Sequence, residues 1–181
     1  MSRIPAHTLD DAPEAARATL EKYARRNNGT PRNIYAGMAH APIVLEAYDA
    51  IAGVIARQST FDARTREAIA LAVGAQDGCR YCQSAHTLAA IAAGFTEQQA
   101  IAIRRGEDDF DPKLSALLAI AREGAANVGR VSEGAWKLAL EAGWSDTELA
   151  ELFVHVATNL FTNYFNHYAE TDLDLPPAPE L

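Results

Sequence analysis

Two cysteines lie three residues apart in Cys79-Arg80-Tyr81-Cys82, and His86 follows four residues later. On a helix, at about 100° per residue, Cys79, Cys82 and His86 fall within roughly 60° of one another. Ala89, Ala90 and Ala93 continue that stripe, leaving room for a neighbouring helix or a substrate. Thiols in the first turn of a helix meet unpaired N–H groups and the positive end of the dipole, and both favour thiolate. An imidazole one turn beyond Cys82 can take its proton as a base or hold the thiolate as a cation. The chemistry on offer is that of a redox dithiol with its own acid–base group. The two sulfurs are not ranked by this reasoning, since Cys82 is nearer His86 and Cys79 nearer the helix start. Arg80, Gln83, Ser84 and Thr87 fall to one side of the stripe and are expected to face solvent.

Glu67 precedes eight residues without a polar side chain, Ala68 to Ala75. A carboxylate opening so apolar a segment points partly inward and needs a partner or a raised pKa. The short turn Gln76-Asp77-Gly78 folds the two helices antiparallel, with Asp77 or Gly78 available as cap of the second. Glu67 can then reach His86 and complete a carboxylate–imidazole–thiol relay. Tyr81, between the thiols, is a further candidate as proton donor. Other uses of the same residues are a plain salt bridge for Glu67, packing for Tyr81, and zinc for Cys79, Cys82 and His86. A structural zinc needs a fourth ligand, and the chain offers no second CxxC or HxxxH pair. Haem attachment needs His directly after the second Cys, where Gln83 stands.

The elements that must position these groups read as helices. Ala supplies 37 of 181 residues and Val with Ile only 17, which favours helix over strand. No proline falls between 42 and 112 or between 112 and 176, and Gly-containing turns divide those stretches. Nine helices are expected, over 13–26, 31–38, 42–57, 63–75, 79–93, 97–105, 112–126, 132–141 and 146–169, with no strand. Residues 1–171 form one all-helical domain with its redox core at about 61–105. Residues 172–181, with three prolines, form an extended arm.

Two helix starts are written alike, Ala93-Gly94-Phe95-Thr96 and Ala142-Gly143-Trp144-Ser145, 49 residues apart. Thr96 and Ser145 are N-caps, and Gln99 and Glu148 complete capping boxes. A helical hairpin is thus expected twice. The offset carries Cys79, Cys82 and His86 onto Val128, Val131 and Ala135, so only the first copy holds the chemistry. The uncharged stretch from Leu152 to Ala169 presents His155, Asn159, Thr162, Asn163 and Asn166 on one arc. It reads as a core or interface helix with part of its polar stripe available to line a cleft.

The chain carries 24 acidic and 16 basic residues, a net charge of −8. That disfavours a general nucleic-acid or anionic-membrane binder. Two cysteines exclude a disulfide-stapled scaffold. The first twenty residues hold Arg3, Asp10, Asp11, Glu14 and Arg17 and no apolar run, unlike a targeting segment. The expectation is a cytoplasmic protein, with a reducing surrounding that favours a redox-active CxxC over a structural one.

The string Glu67-x11-Cys79-x-Tyr81-Cys82-x3-His86 resembles the core motif of the carboxymuconolactone decarboxylase superfamily, in its alkylhydroperoxidase D-like (AhpD-like) branch. The resemblance implies an all-α bundle, a homo-oligomer (trimer or hexamer), and a thiol-dependent peroxidase or disulfide reductase without a cofactor. It implies a small hydroperoxide substrate and an external dithiol or thioredoxin-like reductant. It also implies that Cys82 attacks peroxide and passes through a sulfenic acid. Cys79 is then the resolving thiol and proton donor, with Glu67 and His86 as relay. The best-known enzymes of that branch carry His immediately before the second Cys, where this chain has Tyr81. The rival from another class is a non-catalytic oligomeric protein whose CxxC-x3-His is a redox switch or zinc clip.

Overall fold

Pro42 and Pro112 each occupy the first turn of a helix, where a missing N–H costs nothing and the fixed φ suits the helix. They open α3 (Pro42–Gln58) and α7 (Pro112–Ala126), two of nine helices in a computed structural model that describes residues 1–181. The others are α1 (Glu14–Arg25), α2 (Asn33–Met38), α4 (Ala63–Gln76), α5 (Arg80–Ala92), α6 (Glu97–Arg105), α8 (Glu133–Glu141) and α9 (Asp146–Ala169). There is no strand, and every expected helix is present with ends shifted by two residues or fewer. No helix is long and apolar enough to cross a membrane.

α4 is the hub, packing on α5, α6, α7 and α9. All seven residues from Ala68 to Gly74 are buried, so this helix is apolar on every face, as a central helix must be. Ala68, Ala70, Ala72 and Gly74, alternating with Ile69, Leu71 and Val73, let its neighbours come close. At Gly74 an added Cβ would stand 3.2 Å from the Cβ of Cys82, so Gly there sets the approach of α4 to the CxxC. The core divides in two. The larger cluster of 21 buried residues joins α4 to α6, α7, α8 and α9. A second, of 12, contains both cysteines and Tyr81 together with Leu20, Ile34 and Met38 from the first two helices. The N-terminal helices therefore form the far wall of the region around the cysteines.

Both expected capping boxes are made, at Thr96/Gln99 and at Ser145/Glu148, each after a glycine at positive φ (Gly94 102°, Gly143 90°). Phe95 and Trp144, the equivalent residues beside them, are both buried. Two local expectations are corrected. The cap of α5 is neither Asp77 nor Gly78 but Cys79, whose sulfur accepts the N–H of Cys82 at 3.3 Å. Asp77 instead ends α4 and accepts the Asn163 Nδ2 donor at 2.8 Å. Ser84 and Thr87 do not face solvent; they are 1% and 2% exposed. Ser84 is covered by the C-terminal arm, its Oγ accepting the Ala178 N–H at 3.0 Å.

That arm is extended, as expected, and it is tied down along its length. Asp174 accepts from the Tyr81 hydroxyl at 2.6 Å and from the Asn33 N–H at 2.9 Å. Leu175 is buried in the cluster that holds the cysteines. The Pro179 carbonyl accepts from Arg104 at 2.6 Å. The opposite side of the molecule is apolar and open. A groove of about 540 Å³ runs between α9 and the α7–α8 turn, lined by Val131, Trp136, Phe153, Leu160 and Tyr164 among others. Phe153 is 74% exposed and Val128, at the groove's edge, 93%.

Candidate active site

Helix α5 presents the motif as its sequence periodicity requires. Cys79 caps the helix and Cys82 closes its first turn, both as free thiols and both almost fully buried. His86 stands one turn further on. The antiparallel α4–α5 pair brings Glu67 to it, with His86 Nδ1 and Glu67 Oε2 2.8 Å apart and each side chain 28% exposed. No hydrogen bond engages the other ring nitrogen of His86. Cys82, Glu67 and His86 line one cavity of about 420 Å³. Cys79 lines a different one, at the start of α5 beside Glu170 to Leu173.

The sulfurs differ electrostatically. The Cys82 thiol donates to the Cys79 sulfur, and that bond, with the Cys82 N–H and the Asn166 amide, lowers the Cys79 pKa against the effect of burial. For Cys82 the same bond, made from the proton's side, and burial push the pKa up. A helix N-cap is where a sulfur anion is best served, so the pair's negative charge rests first on Cys79. The proton between them is shared, and the titration belongs to the pair.

The sequence pattern gave no sign of Asn166 as a ligand of sulfur. Its Nδ2 donates to Cys82 Sγ at 3.3 Å and to Cys79 Sγ at 3.9 Å. It comes from α9, as do Thr158, Asn159 and Thr162 on the cavity wall. Part of the uncharged stripe does line the cleft, therefore, while His155 and Asn163 are buried in packing. His155 pairs with Glu151 at 3.2 Å. Tyr81 lies on the cavity wall, but its hydroxyl is given to Asp174. Burial and that carboxylate raise its pKa well above the usual value. No three His, Cys, Asp or Glu side chains converge as a metal site needs.

An all-helical bundle that brings a buried CxxC, a histidine and a glutamate together has counterparts among known proteins. Residues 42–123 match the Carboxymuconolactone decarboxylase family. The match spans the middle of the chain, from α3 to α7, and the fold is the one seen in AhpD-like proteins. The chain is similar to a peroxidase-related protein with an alkylhydroperoxidase AhpD core from Ralstonia eutropha JMP134, with a TM-score of 0.84 and 20% identity over 96% of this chain and 92% of that one. The debrominase Bmp8 superposes with a TM-score of 0.79 and 18% identity, over 94% and 91% of the two chains. A peroxidase-related protein from Silicibacter sp. TM1040 gives 0.75 and 18%, over 96% and 92%. No curated protein matches the chain.

Proposed function

We propose that the protein is a thiol-dependent peroxidase that reduces a hydroperoxide at Cys82 and closes a Cys79–Cys82 disulfide. The observation that carries this reading is the shared cavity of Cys82, Glu67 and His86, with the Glu67–His86 pair already made. Cys82 attacks because it is the sulfur in that cavity; Cys79, where negative charge is favoured, takes its proton. The Cys82–oxygen bond forms as the O–O bond breaks. The departing alkoxide takes a proton from His86, which Glu67 orients through Nδ1. Cys82 is left as a sulfenic acid. The Cys79 thiol then attacks it, the disulfide forms, and its proton leaves with the hydroxyl as water. The sum is one hydroperoxide and two thiols giving an alcohol, water and a disulfide. An external dithiol restores the thiols by exchange.

A second reading, prompted by the name debrominase given to Bmp8, uses the same dithiol to replace a carbon–halogen bond by carbon–hydrogen. The cavity favours it to the extent that it has room for a substituted ring beside Tyr35 and Tyr48. Two thiols would again become a disulfide, now with release of halide and a proton. The apolar groove on α9 supports assembly with further copies of the same chain. A surface that exposes Val128 and Phe153 gains from being covered.

The test is peroxide consumption with a supplied dithiol. Wild-type protein is expected to turn over, and Cys82→Ser to lose turnover entirely. Cys79→Ser is expected to consume one equivalent and stop at a sulfenic acid that dimedone captures on Cys82. Unimpaired turnover by Cys82→Ser would overturn the assignment, and halide release from a bromopyrrole without peroxide turnover would favour the second reading.

A further inference from the structure

The cavity is larger than the reaction at its floor requires. Its volume of about 420 Å³ compares with roughly 30 Å³ for a water molecule, and hydrogen peroxide is about twice that. Most of the remaining space is bounded by carbon, from Ile34, Ala85, Leu88 and Ala89, and by the Tyr35 and Tyr48 rings, whose centroids are 5.6 Å apart. An organic body fits such walls.

Three charged side chains line the cavity: Glu67, His86 and Arg32. Glu67 and His86 are bonded to each other. Arg32, at the start of α2, is different. It makes no ion pair and no side-chain hydrogen bond, and the nearby Asp174 carboxylate is taken up by the Asn33 N–H and the Tyr81 hydroxyl. It stands near enough to Tyr35 and Tyr81 for its charge to act on both hydroxyls. A planar fork of donors without a counter-ion, facing an apolar enclosure, is matched by a carboxylate held through two parallel bonds. The molecule around it carries a net charge of −8, which repels anions at long range. An anionic ligand therefore needs a cation inside the cavity that no bonded carboxylate neutralises; His86 is paired with Glu67, which leaves Arg32.

Resting on the peroxidase reading, we infer that Arg32 anchors a carboxylate on the substrate, so that the preferred oxidant is an organic hydroperoxide bearing an anionic group and not hydrogen peroxide. Arg32 is then a specificity-determining residue. The carboxylate binds at Arg32, the apolar body lies against Leu88 and the tyrosine rings, and the O–O bond is delivered to Cys82. Electron flow is that of the peroxidase reaction, with Arg32 exchanging no proton.

A matched pair of probes tests this. Single-turnover oxidation of the reduced protein is followed with cumene hydroperoxide and with its para-carboxylate. In wild type the carboxylated peroxide is expected to react at least about tenfold faster in second-order rate, equivalent to about 1.4 kcal/mol. Arg32→Gln is expected to bring the ratio of the two rates to about one, and Arg32→Lys to restore part of it. Equal rates in wild type, or a ratio untouched by Arg32→Gln, would overturn the inference. Binding of the unreactive 4-isopropylbenzoate, measured by calorimetry, separates this site from the peroxidase reading. Binding at least about tenfold weaker to Arg32→Gln supports the anchor even if neither peroxide oxidises Cys82, and binding independent of Arg32 removes it.

Discussion

At the scale of single residues, the proposed reaction moves one proton and one negative charge between two sulfurs. Cys79 gains from the N–H of Cys82, and both sulfurs receive the Asn166 amide. Hydrogen bonds to charged groups contribute about 1.5–3 kcal/mol, and sulfur, a soft and diffuse acceptor, lies at the low end. Asn166→Leu removes the donor and keeps the volume. It is expected to raise the pH midpoint for thiolate formation by about one unit, read from thiolate absorbance or from alkylation rate against pH. An unmoved midpoint would show that the amide only packs there. The cysteines, His86 and Glu67 were legible in the sequence because they sit on two consecutive helices, where spacing fixes geometry. Asn166 was not, being 87 residues from Cys79. An asparagine in a polar stripe carries no mark of the atom it will face.

At the scale of elements, the helices were legible because their ends are written locally, in prolines, glycines and capping boxes. What lay against them was not. Ser84 and Thr87 were placed at the surface by the helical wheel, and the arm that covers Ser84 comes from the far end of the chain. Tyr81 is the link between arm and redox helix. Tyr81→Phe should lower stability by about 1–2 kcal/mol in a denaturant titration and expose the C-terminus to carboxypeptidase, with the oxidation rate changed less than about threefold. A tenfold fall in that rate would make the Tyr81 hydroxyl a proton donor instead of a tether. A second link joins the α3–α4 turn to α9. Burial opposes the charge of Glu151, but the Ser59 hydroxyl and the hydroxyl and N–H of Thr60 hold its carboxyl at about 2. Because this pKa lies below the unfolded value of about 4.3, its contribution is complete above that pH and is lost as pH falls toward 2. Wild type should lose up to about 3 kcal/mol relative to Glu151→Gln over that interval, measured as the difference between the two in unfolding free energy. Parallel curves for the two proteins would contradict it.

At the scale of the whole molecule, the reactive cavity and the apolar groove draw on different faces of one helix, α9. Thr158, Asn159 and Asn166 line the cavity, while Phe153 and Tyr164 face outward. The uncharged character of this helix showed in the sequence. So did its polar arc as a wall for a cleft; what did not show was which members of that arc are buried in packing instead, as His155 and Asn163 are. If the groove is an interface between copies, Phe153→Glu with Tyr164→Glu should convert the assembly to monomers in sedimentation velocity and leave helix content unchanged. An unaltered sedimentation coefficient would place any interface elsewhere.

The central claim, that Cys82 and Cys79 act together on a peroxide, is tested most directly by intact-mass and thiol analysis of the reduced protein after one equivalent of an organic hydroperoxide. The account predicts loss of both thiols, a mass lower by two hydrogen atoms, and a Cys79–Cys82 linkage in the peptide map. Retention of both thiols under excess peroxide would contradict it.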